Sequence, residues 1–307
     1  RSRGLGDVYK RQISGKWLIQ RILLDPGPKL SAEEKEQLAL LRREKVNKPT
    51  VYIGSASCGI ISGAITTQQA IQQYFEEYKV DAEIVGVGCA GLCSVEPIVD
   101  VQLPGRPRVS FTNVHPGEVE IIFADILHHI IPDVEVLGQY RSKLKEPWEK
   151  VPFLDEHPFF QPQQRVLLKN CGIINPESIE EYIANGGYKS FVKTITGYTP
   201  EKVCNIIEES GLRGRGGKGF PTAQKWKLAR QQSSDQKYLI CNAEESDPGA
   251  FMDRALMEGD PHLIIEGIAI ASYAMGATKA YVQTVSYTHL RAHETVLDLV
   301  CRLLLEK

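Results

Sequence analysis

The 307-residue chain has no apolar run long enough to cross a bilayer. Its longest apolar stretch near the C-terminal end, residues 263–277, is too short and carries Glu266. Direct membrane insertion by a helix is therefore not expected. Neither sign of charge dominates, the formal net charge being −2, so a nucleic-acid surface built on basic excess is not expected. No secretory signal accompanies the seven cysteines, and no C-x-x-C occurs. These absences point to a reducing, cytoplasmic setting, with thiols in metal or redox use rather than a disulfide framework. No internal repeat or low-complexity block is present. What remains is ordinary globular composition, 42% hydrophobic and 24% charged. The length suits about two domains.

Two neighbouring stretches concentrate chemistry. Residues 211–226 read GLRGRGGKGFPTAQKW. Gly214, Gly216 and Gly219 match G-x-G-x-x-G, with Arg215, Gly217 and Lys218 between them. Glycine allows positive φ and lets backbone N–H groups approach a phosphate. The usual dinucleotide fingerprint needs a strand just before the turn. Here a helix is expected instead: Thr199 caps it, Pro200 opens it, Val203, Ile206 and Ile207 form its apolar face, and Gly211 ends it. A nucleoside-triphosphate P-loop also fails, because Gly219 follows Lys218 where Ser or Thr is required, and Leu212 stands at the first glycine. An RNA-binding arginine–glycine tract would carry interleaved aromatics and basic excess, and neither is found. A solvated glycine-rich surface loop is the plain alternative.

Residues 241–254 read CNAEESDPGAFMDR. Residues 238–241 are expected to form a short buried strand. Asn242, Glu244, Glu245, Ser246 and Asp247 then fall at its C-terminal end, where open α/β sheets bind ligands. Carboxylates there suit ribose hydroxyls or a flavin N–H, and would repel phosphate. Taken singly, each acid reads as a solvated loop residue.

Towards the N-terminal end the periodicity changes after Pro49. Residues 50–53 and 83–87 read as strands, 64–78 and 116–129 as helices, and 98–102 with 108–112 as a hairpin around Pro104-Gly105. This order suits a small thioredoxin-like α/β domain. Ser31 with Glu34 forms a capping-box pattern ahead of it. Cys58, Cys89 and Cys93 fall in loops after strands, where thiolates can converge on one iron–sulfur cluster. Cys171, Cys204 and Cys241 read as buried small hydrophobes. Residues 139–162, rich in proline, charge and aromatics, read as a linker packed on the following domain, with Trp148, Phe153, Phe159 and Phe160 as anchors. Trp226 reads as core packing.

GLRGRGGKGFPTAQKW, CNAEESDPGAFMDR and DPHLIIEGIAIASYAMGA, in order and with compatible spacing, resemble the FMN- and NADH-binding flavoprotein subunit of respiratory complex I. They resemble equally the related subunits of NAD-linked hydrogenases and formate dehydrogenases. The run from 164 to 188 resembles that subunit's entry segment. The N-terminal cysteine layout resembles the thioredoxin-like [2Fe–2S] domain fused to or partnered with such a flavoprotein. That family's pattern places a second cysteine five positions after the first, where this chain has Gly63, so three matching thiols remain. Either a non-cysteine group or a distant thiol completes the site, or the domain is a scaffold without a cluster.

The resemblance implies hydride transfer from NADH to FMN and one-electron transfer onward to iron–sulfur clusters. It implies an NADH dehydrogenase-type oxidoreductase subunit within a multi-subunit complex. Other iron–sulfur subunits would be its partners, in the cytoplasm or on the peripheral arm of a membrane complex. By motif, Gly214 and Gly216 would line FMN, with Arg215, Gly217 and Gly219 in the same loop. Lys225 would neutralise flavin or phosphate charge, and Phe220 would stack on the NADH adenine. Asn242, Glu244, Glu245 and Ser246 would bond the flavin side, and Asp247 would meet the nucleotide. Glu244 replaces the more usual aspartate, and Asp247 the more usual glutamate. Hydride transfer needs no protein acid or base, so no catalytic residue is assigned. The alternative is a non-catalytic docking module of the same complex.

Residues 1–12 and 285–307 read as non-native ends, the latter resembling translated adapter. The expected layout is a helical segment at 13–48, the thioredoxin-like ferredoxin domain at 49–138, a linker at 139–163, and a truncated α/β FMN/NADH-binding domain at 164–284. A C-terminal [4Fe–4S] cysteine cluster is expected only in a full-length parent. On that reading the isolated chain binds flavin weakly or not at all.

Overall fold

A computed structural model describes residues 22–23, 30–142, 146–245 and 249–284. The expected non-native ends lie outside the described residues, as do Ser246 and Asp247. The chain divides into two compact units. The first holds residues 26–185 and 255–261, and the second holds 186–254 and the residues from 262 onward. The unit boundary at 185/186 differs from the expected domain start at 164.

In the first unit, α1 (Ala32–Leu41) begins with the anticipated box: Ser31 Oγ accepts from Glu34 N at 3.2 Å and Glu34 Oε2 accepts from Ser31 N at 2.6 Å. The sheet follows, with β1 (Thr50–Gly54), β2 (Glu83–Val87), β3 (Val99–Gln102), β4 (Val109–Phe111) and β5 (Val136–Gln139) in spatial order β2-β1-β3-β4-β5. β1 and β2 run parallel, and the other pairings are antiparallel. The crossover between β1 and β2 carries α2 (Ser57–Ile61) and α3 (Ala64–Glu77). A hairpin and then α4 (Val119–Ile126) complete the thioredoxin-like order anticipated above. One face of the sheet buries Val51, Ile53, Val99, Val101 and Phe111 against Ile71 and Phe75 of α3 and Ile122, Phe123 and Ile126 of α4. Each fully buried aliphatic or aromatic side chain there contributes about 1.5–3 kcal/mol.

The fifth strand, Val136–Gln139, was not anticipated. Nor does the segment after it pack on a following domain. Trp148 is buried in the core of the first unit, its Nε1 donating to Pro107 O at 2.9 Å. Gln139 secures the return: its Nε2 donates to Trp148 O (2.9 Å) and Val151 O (2.7 Å), and its Oε1 accepts from Trp148 N (2.7 Å). An amide in this position satisfies three backbone groups that burial would otherwise strand.

The other face of the sheet buries Tyr52 together with Val85 and Val87. Tyr52 is buried, and its hydroxyl donates to Gln102 Oε1 at 2.9 Å. Burial pushes the Tyr52 hydroxyl up to about 12, against the opposing pull of Arg108, and burial raises Tyr140 too. The neutral phenol is the form the fold prefers. Its stabilisation is complete below the unfolded tyrosine value of ~10 and is lost as pH rises from there through the folded value. The first unit is therefore expected to lose roughly 2–3 kcal/mol from Tyr52 between about pH 10 and 12. Urea midpoints across that range check this. A Tyr52→Phe variant should lose less, and an identical fall in both would contradict it.

In the second unit, α6 (Lys189–Gly197), α7 (Pro200–Glu209) and α8 (Thr222–Gln231) precede β6 (Tyr238–Asn242); α10 (Pro261–Met275) leads to β7 (Lys279–Gln283). α5 (Ile179–Ala184) belongs to the first unit, and α9 (Met252–Gly259) begins in the second and ends in the first. α7 has the anticipated signals: Thr199 Oγ1 accepts from Lys202 N at 3.2 Å, and Gly211 turns the chain at φ 67°. α10 runs from the anticipated proline to Gly276 at φ 74°. Glu266, buried in α10, accepts from Tyr188 N (2.8 Å) and Phe191 N (3.1 Å), capping the start of α6. Val203, Cys204 and Ala274 form one cluster, and Leu239, Ile268, Ala271 and Ala277 another. Trp226 packs against both, as core. β6 pairs in parallel with β7. β6 is not a buried strand: Tyr238 and Ile240 are exposed while Leu239 is buried, an alternation that leaves one face outward.

Candidate functional site

The glycine loop is held by its own backbone. Gly214 N donates to Phe220 O at 2.9 Å, and Thr222 N donates to Leu212 O at 3.0 Å. Arg213 Nη1 donates to Gly219 O at 3.0 Å, so this cation fastens the loop. The turn uses Gly217 (φ 91°) and Gly219 (φ 59°). Gly214 and Gly216 do not take positive φ. A Cβ at Gly216 would meet nothing within 4 Å, so that glycine leaves open space beside the backbone.

Arg215, Lys218 and Lys225 are exposed, and among the described residues none makes an ion pair. Phe220 is also exposed, at the end of the loop. α8 starts directly after it and carries Lys225. Trp226 of the same helix packs in one core with Leu239 and Cys241 of β6. The loop and the acid-bearing strand thus stand on two elements of one packed layer.

At the strand end, Ala243 N donates to Gln283 O at 3.0 Å, extending the β6–β7 pairing beyond the last ladder residue. Asn242 is exposed and Glu244 half-buried. Glu245 has a structural task. Its two carboxylate oxygens accept from Asp253 N (3.0 Å) and Arg254 N (3.3 Å), satisfying orphan donors at the start of α9. The spacing from Glu245 to that helix start could have suggested this, since an acid shortly before a helix favours its N-terminus.

The cysteines form a second centre, within the first unit. Cys58 lies in α2, Cys89 follows β2, and Cys93 opens a 3₁₀ turn at Cys93–Val95. Their three sulfurs lie within 4.8 Å of one another. Cys89 Sγ and Cys93 Sγ are 3.5 Å apart, and Gly91 N donates to Cys89 Sγ at 3.2 Å. The hydrogen bond from Cys89 holds the Cys58 thiol below its usual value. The same bond, then burial, raises Cys89, and burial raises Cys93.

One group at this centre was not anticipated. Glu96 is buried, with Oε1 3.9 Å from Cys58 Sγ. Gly63, the position at which the resemblance led to the expectation of a further cysteine, sits at φ 104° as the residue capping α3. The remaining described thiols stand apart. Cys171 and Cys204 are buried, and Cys241 packs in the core of the second unit. Burial pushes Cys171 up to about 11, as for an inert core thiol.

Further contacts brace the cysteine centre. Ser57 N donates to Glu258 Oε2 at 3.0 Å, and the Ser57 hydroxyl bonds the same carboxylate. Arg165 Nη1 donates to Ala90 O at 2.7 Å, between the two later cysteines.

Residues 207–295 match the family model described as the Nuo51 FMN-binding domain. NADP-reducing hydrogenase subunit HndC of Solidesulfovibrio fructosivorans is 53% identical over 120 residues, covering 39% of this chain and 24% of that protein. The F 2 subunit of NADH-quinone oxidoreductase of Rhizobium meliloti (strain 1021) is 46% identical over 123 residues, covering 40% and 28%. The matched stretch is thus about a quarter of the length of these relatives. Among solved structures, an air-oxidized NAD+-reducing [NiFe]-hydrogenase aligns at TM-score 0.37 and 18% identity, over 96% of this chain and 48% of that one. A thioredoxin-like [2Fe-2S] ferredoxin from Aquifex aeolicus aligns at TM-score 0.26 and 17% identity, over 31% of this chain and 96% of that one. These scores are too low to establish a shared fold, and the architecture above rests on its own strand order. The resemblance carried by the glycine loop and the acid-bearing strand is borne out by sequence: residues 207–295 match the Nuo51 FMN-binding domain family.

Proposed function

We propose that this chain belongs to an NADH-oxidising flavoprotein subunit of a multi-subunit complex. The carrying observation is a self-braced glycine loop and the helix after it, which together expose three cations without an ion pair among the described residues, inside the stretch that matches an FMN-binding domain. When bound, FMN supplies hydride acceptance from NADH and release of electrons one at a time. The residues hold and orient it. Gly214, Gly216, Gly217 and Gly219 let the backbone come close, while Arg215 and Lys225 offset anionic charge. Phe220 offers an exposed ring face for a nucleobase. Asn242 and Glu244 accept or donate at the polar flavin edge, with Ser246 and Asp247 placed there by motif alone. Glu245 shapes the turn that presents them. Cys58, Cys89 and Cys93 would hold a cluster that accepts electrons singly. No helix among the described residues is long and apolar enough to cross a membrane, and attachment would come through partner subunits.

The test uses the polypeptide extended to the length of its relatives. FMN content near one per chain and NADH-dependent ferricyanide reduction are both expected. Lys225→Ala should weaken FMN binding by ~tenfold, the scale of one lost charge-assisted hydrogen bond. A folded polypeptide with neither FMN nor activity overturns the reading.

A further inference from the structure

We propose that Glu96 supplies the fourth ligand at the cysteine centre. Two of the cysteines would then hold one iron of a [2Fe–2S] cluster, and the third cysteine with Glu96 the other. The proposal rests on the electron-relay reading above and names the residue that completes its site.

A two-iron cluster takes four protein ligands, two on each iron. Three thiols are present, and among the described residues no fourth thiol joins them. The donor atoms at the centre converge: the three sulfurs lie within 4.8 Å of one another, and Glu96 stands at their edge. Cys89 Sγ and Cys93 Sγ are 3.5 Å apart, and Cys58 Sγ and Glu96 Oε1 are 3.9 Å apart. Two ligands on one tetrahedral metal at ~2.3 Å stand ~3.8 Å apart, the scale of these separations.

Glu96 is otherwise hard to account for. It is 6% exposed, and among the described residues no Lys, Arg or His pairs with it. A buried carboxylate without a cation or metal is costly. Its Oε2 accepts from Ile98 N at 2.8 Å, which fixes the side chain and leaves Oε1 towards Cys58. Space is kept for it. A Cβ at Gly54 would stand 2.8 Å from Glu96 Oε2. Carboxylate and thiolate carry the same charge, so three thiolates and Glu96 present the same donor charge as four thiolates. On assembly from ferric iron and sulfide, each thiol and the carboxyl group releases its proton as the bond to iron forms, with no net change of oxidation state.

The test is anaerobic reconstitution of the full chain with iron and sulfide, read by metal analysis and Mössbauer spectroscopy of the oxidised state. The wild type should hold two irons and two sulfides per chain, in two unequal ferric environments of equal area. One has four sulfur ligands and the other three sulfurs and an oxygen. Glu96→Gln and Glu96→Ala should retain iron at least ~tenfold more weakly, the loss seen when metal sites lose a supporting group. Two equivalent ferric environments in the wild type would overturn the assignment, and so would a Glu96→Ala protein with an unchanged cluster. The wild-type spectrum keeps the test decisive even if the variants fold poorly. A wild type that takes up no cluster, or one iron without sulfide, overturns the cluster reading of the domain as well. FMN binding, measured separately, is untouched by either result.

Discussion

Replacing Arg108 with methionine is expected to cost the first unit about 3–5 kcal/mol, the scale of breaking one side of a buried ion pair. Arg108 and Asp100 are both nearly inaccessible, with 6% and 5% of their side chains exposed, and meet at 2.6 Å. Arg108 also donates to Ile173 O at 3.1 Å and Gly172 O at 2.7 Å, and it lies over the Tyr52 ring at 3.7 Å. Methionine keeps much of the apolar stem but leaves Asp100 charged, buried and unpaired, and strands two carbonyls. The expected signature is a large fall in urea midpoint with little change in slope. A double change, Arg108→Met with Asp100→Asn, should recover part of the loss, because the penalty lies largely in the orphaned charge. A single variant within ~1 kcal/mol of wild type would mean that Asp100 is hydrated and the pair is not sealed.

Much of the first unit was legible because its signals are local. Alternating apolar residues gave β1 to β4, and Ser31 and Glu34 gave a cap; in the second unit a proline start with a glycine stop gave α10 its bounds in the same local way. Contacts distant in sequence were not. The short strand Val136–Gln139 has too few residues to show a period, and it exists because β4 offers it an edge. Trp148 returns to the preceding core through a glutamine nine residues away, which no spacing rule marks. In the glycine loop the pattern G-x-G-x-x-G drew the eye to Gly214 and Gly216, yet the positive-φ turn falls on Gly217 and Gly219. A spacing motif names candidates for backbone freedom without saying which of them uses it. The three thiols were legible as a set because each follows a strand. Glu96 was not, since a glutamate three residues after a cysteine reads as a loop acid until its burial is known.

Gly88→Ala is expected to have the second large effect, and it reaches the metal centre through packing rather than ligation. Gly88 immediately precedes Cys89, and its backbone lies against Gly259 at the end of α9. A Cβ on Gly88 would stand 2.2 Å from Gly259 Cα. One on Gly259 would stand 2.8 Å from Cys171 Sγ. Both obstacles belong to packed groups, so the methyl of alanine cannot be absorbed by a side-chain rotation at Gly88. Either the 255–261 segment moves away, or the loop bearing Cys89 is displaced. The first choice pulls Glu258 from Ser57, next to Cys58. The second separates Cys89 from Cys93. Overpacking of this kind costs about 1–3 kcal/mol, and more where backbone must move. Iron and sulfide retained after reconstitution should fall together with stability. Gly117→Ala is the control, because a Cβ there meets nothing within 4 Å and the residue does not take positive φ. Its unfolding midpoint and cluster content should match wild type. If Gly88→Ala matched it too, the close approach of the two glycine backbones, and with it the bracing of Cys58 and Cys89 by the 255–261 segment, would be wrong.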